Sequence, residues 1–298
     1  MISLNPKNLT ASDLHGYLLG SIGPRPIALA STIDKNGKPN LSPFSFFNAF
    51  SAKPPICIFS PARRVRDNTI KHTLENCLLS KEVVINIVTY EIVQQTSLSS
   101  TEYDKGINEF TKAGFTEIPS ELITPPRVKE SPIQLECKVN DIIHLGNEGG
   151  AGNLVICEIL LIHIKDSVLN TENKIDPDKL DLVGRLGGNW YTRANKKSLF
   201  QVEKPLKTKG IGIDSIPNGI KNSLILSGND LGKLGNVEKI PGKDEMEKLK
   251  QTQEIQNILS QASSEKQQDE LLHKLAKKYL EKNDIHKAWL TLLINKLK

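Results

Sequence analysis

Asn40-Leu41-Ser42-Pro43-Phe44-Ser45-Phe46-Phe47-Asn48 interleaves aromatic and hydroxyl side chains more densely than an ordinary core strand does. Three of the chain's eight Phe fall within four positions, separated by Ser45 and closed by Asn48, so apolar surface and hydrogen-bonding groups are offered together. Two readings stand side by side: a surface for a flat, polar-edged aromatic ligand, or a half-buried strand whose hydroxyls face water. Just upstream, Asp34-Lys35-Asn36-Gly37-Lys38 places Asn-Gly before the stretch. Residues 27–33 and 39–47 are therefore expected to pair as an antiparallel hairpin.

Downstream, Lys53-Pro54-Pro55 turns the chain into Ile56-Cys57-Ile58-Phe59-Ser60, a nearly all-apolar strand expected to be central. Val83-Val84-Ile85-Asn86-Ile87-Val88 is β-branched and strand-like, and residues 133–145 and 154–165 read as two more strands. The intervening Gly146 to Gly152 turn reads as a flexible hairpin loop. Helices are expected over 13–19, 69–76, 91–99 and 106–113, with a Pro-rich connector over 118–128. Strands predominate without regular strand-helix alternation, which predicts a mainly β fold: a closed or partly closed antiparallel barrel with peripheral helices.

After Lys204 the character changes. Residues 205–242 are rich in Gly, Asn and Lys, and Ser227-Gly228-Asn229-Asp230-Leu231-Gly232-Lys233-Leu234-Gly235-Asn236 reads as a succession of turns. Residues 244–298 read as helical, with Ser264-x-x-Gln267 as a capping box and Leu271, Leu272, Leu275, Tyr279 and Leu280 at helical spacing. The expected organisation is a barrel domain over 1–204 and a connector with a C-terminal helical extension over 205–298. The helices would pack on the barrel or on a second subunit.

The composition, 38% hydrophobic and 24% charged with a net charge of +5 spread along 298 residues, is that of a soluble protein. No basic block or alternation of basic and aromatic residues suggests nucleic acid. No secretory signal or membrane span is evident, so a cytoplasmic location is expected by default. The four Cys are widely separated without a Cys-x-x-Cys pair, and are expected to be reduced core residues.

Ser60-Pro61-Ala62-Arg63-Arg64-Val65-Arg66-Asp67-Asn68-Thr69 sets three arginines in four positions between a strand and a helix. Their mutual repulsion would be relieved by a phosphate held by Arg63 or Arg66, the hydroxyls of Ser60 and Thr69 and free backbone N–H groups. The other reading is a solvated loop with Asp67 as helix N-cap. The six His do not sit at metal-ligand spacing, no Gly-x-Ser-x-Gly elbow occurs, and neither nucleotide-binding glycine motif is present. A bound cofactor would have to carry any reactivity. A ring site and a phosphate site on neighbouring elements together imply flavin mononucleotide (FMN).

The same residues resemble a known family. Gly20-Ser21-Ile22-Gly23-Pro24-Arg25-Pro26-Ile27-Ala28-Leu29, the 40–48 stretch, Pro54-Pro55, Arg66-Asp67-Asn68-Thr69 and Gly184-Arg185-Leu186-Gly187-Gly188-Asn189-Trp190-Tyr191 are together similar to the flavin reductase-like proteins with the FMN-binding split-barrel fold. That family includes flavoredoxin and the reductase components of two-component monooxygenases. The resemblance implies a homodimer with FMN near the subunit interface. It sets the flavin ring and ribityl chain against Ser42, Pro43, Phe44, Ser45, Phe46, Phe47 and Asn48, with Thr32 close by. It gives the phosphate to Ser60, Arg63, Arg66, Asn68 and Thr69, with Arg185 and Tyr191 approaching from the late segment and Arg25 on the same face. No side chain is assigned a catalytic role, and no metal is implied.

The implied activity is FMN-dependent oxidation and reduction with NADH or NADPH as donor, delivering reduced flavin or electrons to a monooxygenase or another acceptor protein. One departure bears on the donor. Many family members carry Gly-Asp-His in the turn before the last long strand, and here it reads Gly150-Ala151-Gly152-Asn153. The alternatives are a non-catalytic FMN-binding electron carrier of flavoredoxin type, and a structural barrel without cofactor.

Overall fold

The hairpin forms, but the aromatic stretch does not stay in one strand. In the computed structural model, which describes residues 1–296, β1 (Ala28–Ile33) pairs antiparallel with β2 (Pro39–Phe44). Asp34 organises the turn: its carboxylate accepts from the Asn36 and Lys38 amides at 2.8 and 2.9 Å, and Gly37 takes a φ of 76°, where a side chain would be strained. At Ser45 and Phe46 the chain leaves the ladder. It re-enters as β3 (Phe47–Ala52), which pairs with β4 (Pro55–Phe59) across the Lys53-Pro54 turn.

Beyond β5 (Glu82–Ile87), a small ribbon of β6 (Glu117–Ile118) and β7 (Arg127–Val128) precedes the long strands β8 (Ile133–His144) and β9 (Asn153–Ile164). Seven strands form one antiparallel sheet in the order β2-β1-β5-β8-β9-β4-β3, while β10 (Leu182–Arg185) and β11 (Tyr191–Ala194) make a separate hairpin. The sheet is open and not a closed barrel. Its two edges, β2 and β3, are nevertheless consecutive in the chain, joined only through Ser45 and Phe46, so the sheet curls until they meet at that link.

The open seam has a chemical cause. Leu41 donates its N–H away from β1, to Glu109 Oε2 at 3.0 Å, so by the alternation of an antiparallel edge Pro39 and Pro43 face outward too. Proline has no N–H to give, and the edge cannot accept a further ladder there. β4, expected to be central, lies one place in from the other edge, between β9 and β3.

The core of this sheet gathers Phe44 and Phe59, with rings 5.3 Å apart, around Val83, Ile85, Leu135 and Val155. All four Cys are free and buried. Helix α1 (Ala11–Ser21) precedes the sheet, and α2 (His72–Ser80), starting later than its expected 69–76, buries Leu74 and Cys77 on the core. Two side-chain bonds fix α2: Asn76 Nδ2 to Thr32 Oγ1 at 3.1 Å and Asn40 Nδ2 to Thr73 Oγ1 at 3.0 Å. Helices α3 (Val93–Leu98), α4 (Glu109–Ala113) and α5 (Pro177–Leu180) are short.

Contacts divide the chain into two units, Met1–Phe200 and Gln201–Lys298. The second unit holds α6 (Asn218–Lys221), α7 (Gly228–Gly235), α8 (Lys243–Lys250), α9 (Gln253–Gln261), α10 (Glu265–Glu281) and α11 (Ile285–Leu293). The run from Ser227 to Asn236, expected as turns, is helix α7. A full capping box between Ser227 and Asp230 starts it, and burial of Leu234 outweighs the low helix propensity of its glycines. The expected amphipathic pair, α10 and α11, belongs to a core of the unit's own, centred on Trp289, whose Nε1 donates to Leu234 O at 3.0 Å. The helical expectation for residues 297–298 lies outside the described residues. Among the described residues no helix is long and apolar enough to cross a membrane.

Asn86, fully buried in β5, binds two neighbours at once: Nδ2 donates to Leu29 O at 3.0 Å and Oδ1 accepts from Val128 N at 2.9 Å. Asn86→Ala strands both partners, so urea unfolding should show a loss of about 2–4 kcal/mol. A loss below about 0.5 kcal/mol, the lower end for a single net hydrogen bond, would show that this cross-link does not carry the β1-β5-β7 arrangement.

Candidate functional site

A cavity of about 420 Å³ opens where the seam lies, within the range of about 300–1,000 Å³ usual for small-molecule sites. Pro43, Ser45 and Ile27 supply the sheet side, Gln94, Thr96, Ser97 and Ser100 the α3 side, and Arg185, Asn189 and Tyr191 the third wall. The Arg185 guanidinium stacks on the Tyr191 ring, 4.6 Å from its centroid. No carboxylate lines this cavity among the described residues. Thr96 borders the cavity, but its Oγ1 is buried behind the wall and meets no hydrogen-bond partner.

Glycines bring the third wall into place. Arg25 and Arg185 exchange backbone hydrogen bonds at 3.0 and 2.8 Å, and a Cβ on Gly184 would come within 2.6 Å of Pro24 Cβ. A Cβ on Gly187 would meet Gly20 Cα at 3.1 Å. The Gly20 to Pro26 and Gly184 to Gly187 segments thus fit one another backbone to backbone. Arg25 itself is buried; it ties α1 to this wall, its Nη1 donating to the Leu19 and Ile22 carbonyls and its Nη2 to Leu186 O at 3.0 Å. Burial and the nearby Arg185 charge lower its pKa.

A second niche, about 20 Å³, lies farther along β2. Asn40, Ser42, Arg64, Lys71 and His72 line it, with Ser99 to Glu102 opposite and Glu109 at the strand edge. Ser100 lines both spaces, so one hydroxyl-rich run, Thr96-Ser97-Leu98-Ser99-Ser100-Thr101, borders the larger cavity and the niche in turn. Burial lowers the His72 pKa.

The arginine loop is tightly organised. Arg63 Nε and Nη2 donate to Asn68 Oδ1 and O, both at 2.6 Å, with Asn68 held at a φ of 56°. Arg64 is the inward arginine, donating to Thr69 Oγ1 at 3.0 Å, to Ile70 O at 2.6 Å and to Glu102 Oε1 at 3.1 Å. Arg66 is 74% exposed and pairs with Asp67 and Glu102 at 3.0 and 3.3 Å. Bonds from the Thr69 hydroxyl and amide, then from Arg66, hold the Asp67 carboxyl down at about 2. The glycine-rich turn is the bed of this loop and not a loose hairpin: Arg63 N donates to Ala151 O at 2.8 Å, and a Cβ on Gly149 would come within 3.0 Å of the Arg64 and Val65 backbone.

Of the residues read from sequence, Pro43, Ser45, Arg185 and Tyr191 converge on the larger cavity and Ser42 on the niche. Phe44 faces the core and Thr32 is fully buried on Asn76, so neither lies open to a ligand, while Phe47 packs against the core and is only half-buried. Phe46 and Asn48 are exposed, Phe46 making an edge contact with His15 at 6.1 Å between centroids. Ser60 is a buried junction whose Oγ accepts from Asn153 N at 3.1 Å. Asp67 caps the turn to Thr69, not a helix; α2 begins after Lys71. Sequence reasoning passed over Arg64, Lys71, Glu102, Asn189 and the 96–101 run, whose five hydroxyls in six positions were the available signal.

Fold and site together define an antiparallel split-sheet protein with a ligand-sized, acid-free cavity on its seam. Among the described residues no group of three His, Cys, Asp or Glu could hold a metal. Residues 20–179 match the flavin reductase like domain family, and the chain belongs to it. A protein of Aquifex aeolicus (strain VF5) is 36% identical over 188 residues, 63% of this chain and 93% of that one. Among solved structures, nitrilotriacetate monooxygenase component B from Bacillus cereus superposes with a TM-score of 0.63 at 30% identity, covering 68% of this chain and 98% of its own. A protein with a split barrel domain from Shewanella frigidimarina NCIMB 400 gives 0.58 at 26% identity, covering 68% and 100%.

Glu109 keeps the free edge of β2 in place at a cost. It is 5% exposed, and burial pushes its carboxyl up, against the opposing bond from Leu41 N. An acid with a raised folded pKa binds its proton more tightly folded than unfolded, so its contribution is present at low pH and is lost as pH rises past the ordinary carboxylate value. Glu109→Gln keeps an oxygen for Leu41 N–H without the charge. Its melting temperature should gain on the wild type as pH rises above a carboxylate's usual pKa of about 4.3. A difference that stays constant with pH would refute this account of Glu109.

Proposed function

We propose that the protein is an FMN-dependent flavin oxidoreductase, with NADH or NADPH as electron donor and reduced flavin or electrons passed to a partner such as a monooxygenase. The observation that carries this is the pair of spaces on one edge strand in a member of the flavin reductase-like family. One is acid-free with a stacked arginine; the other presents Arg64 and Lys71. When bound, FMN supplies the two-electron chemistry that no side chain here offers. Pro43, Ser45, Thr96, Arg185, Asn189 and Tyr191 would hold the ring end and exclude water. Arg64 and Lys71, with Ser42 and the Ser99–Thr101 hydroxyls, would take the phosphate, and Arg66 would stand at its rim.

A homodimer is part of this reading. β9 pairs with β4 only through residues 155–158, and along its remaining half Leu160, Ile162 and Ile164 are exposed at 42%, 51% and 38%. Such an apolar strand half, unpaired on that side, is an association surface. The electron-carrier reading is favoured by one observation: the turn where many relatives carry Gly-Asp-His has no histidine here and is packed on the arginine loop.

Purified protein should bind FMN with a yellow absorbance band, and anaerobic NADH or NADPH should bleach it. Binding without bleaching by either nucleotide would favour the carrier, and no binding would refute both. Arg64→Ala with Lys71→Ala should weaken FMN by about a hundredfold or more, at roughly 1.5–3 kcal/mol for each charge-assisted bond, and leave riboflavin within about twofold. Equal losses for the two flavins would remove the phosphate assignment.

A further inference from the structure

The niche that would take a phosphate already contains an anion of the protein's own. Glu102, just past α3, accepts from Arg64 Nε at 3.1 Å, Arg66 Nη2 at 3.3 Å and Lys71 Nζ at 3.3 Å. One carboxylate therefore holds three cations, and their bonds, led by that from Arg64, lower its pKa, so it stays ionised through the neutral range. The other carboxylate of the niche behaves differently. Glu109 is buried and bonded to the strand, whereas the Glu102 side chain is 43% exposed and has solvent to move into.

From this we propose that Glu102 is an exchangeable counter-ion: it keeps Arg64, Arg66 and Lys71 assembled in the free protein and is displaced by the ligand's phosphate. Glu102 thereby sets the affinity for phosphorylated flavin, and makes FMN an exchanging ligand instead of a permanently held group. The inference rests on the phosphate assignment above. Its physical basis is competition between two anions of similar acceptor geometry. A phosphate monoester brings a charge of about −1.5 to −2 and three acceptor oxygens, enough to replace a carboxylate, but it must work against that carboxylate's charge while Glu102 stays nearby. Riboflavin, with no phosphate, has nothing to exchange.

An ordinary structural ion pair predicts the opposite sign. Were Glu102 only a brace for Arg64, its removal would loosen the arginine and weaken FMN. The test is fluorescence titration of FMN and of riboflavin against wild type, Glu102→Gln and Glu102→Ala, with thermal melts to establish folding and stopped-flow dilution to read FMN release. Both variants should bind FMN about ten- to thirtyfold more tightly, the scale of one removed unit charge acting at about 4 Å in water on a phosphate of charge about −1.5 to −2, with slower release. Riboflavin affinity should stay within about twofold, since it lacks the charge on which Glu102 acts. Unchanged or weakened FMN binding in folded variants, with wild type still preferring FMN to riboflavin, would overturn the role of Glu102 and leave the site reading intact. Wild type binding both flavins equally or neither would overturn the phosphate assignment, and this inference with it.

Discussion

Two residues, Ser45 and Phe46, join the opposite edges of a seven-stranded sheet, and much of the first unit follows from that short connection. A twisted sheet can bring its edges together only by curling, and the place where they meet has to be pinned. Ser60 N donates to Phe46 O at 2.8 Å, Ser60 Oγ accepts from Asn153 N at 3.1 Å, and Asn153 Nδ2 donates to Pro61 O at 2.8 Å. These bonds tie the link, the start of the arginine loop and the first residue of β9 into one junction. A Cβ on Gly152 would come within 2.8 Å of Ser60 Oγ, so the glycine-rich turn is shaped by this junction as much as by its own hairpin. Because Pro39 and Pro43 deny β2 a second ladder, the seam stays available for a ligand.

Much of this was legible in the sequence where the signal is local. Asn36-Gly37, the β-branched run in β5 and the proline turn all act through residues a few positions apart, and the strands they delimit fall within a few residues of expectation. The aromatic stretch misled because its pattern crosses the seam. Up to Phe44 the alternation belongs to one edge and from Phe47 to the other, so Phe44 and Phe47 both turn toward the core although they are three residues apart. No period of two gives that result.

The choice among three arginines was illegible for a different reason. Which of Arg63, Arg64 and Arg66 points inward depends on the left-handed Asn68, on Asn147, which accepts from Asn68 Nδ2 at 2.9 Å, and on the Gly149 approach, two of them some eighty positions away. Three crowded arginines do demand an anion. Glu102, thirty-eight residues beyond Arg64 and outside any local pattern, meets that demand. Conversely, the glycines of α7 suggested turns because propensity was weighed without the capping box and the buried Leu234.

The two ends of the candidate site carry opposite electrostatic arrangements, and this asymmetry has a functional logic. The larger cavity contains Arg185 without a carboxylate, so the ring proposed to bind there would meet no internal competitor. The niche contains Arg64 and Lys71 together with Glu102 and Glu109. On the proposed phosphate assignment, a protein that kept its flavin for life would gain nothing from a carboxylate among the cations that bind it. One that releases flavin must hold those cations together between ligands, because an empty cluster of like charges pushes itself apart. Fixed polar groups at the ring end and an exchangeable anion at the phosphate end suit a site that recognises flavin without retaining it.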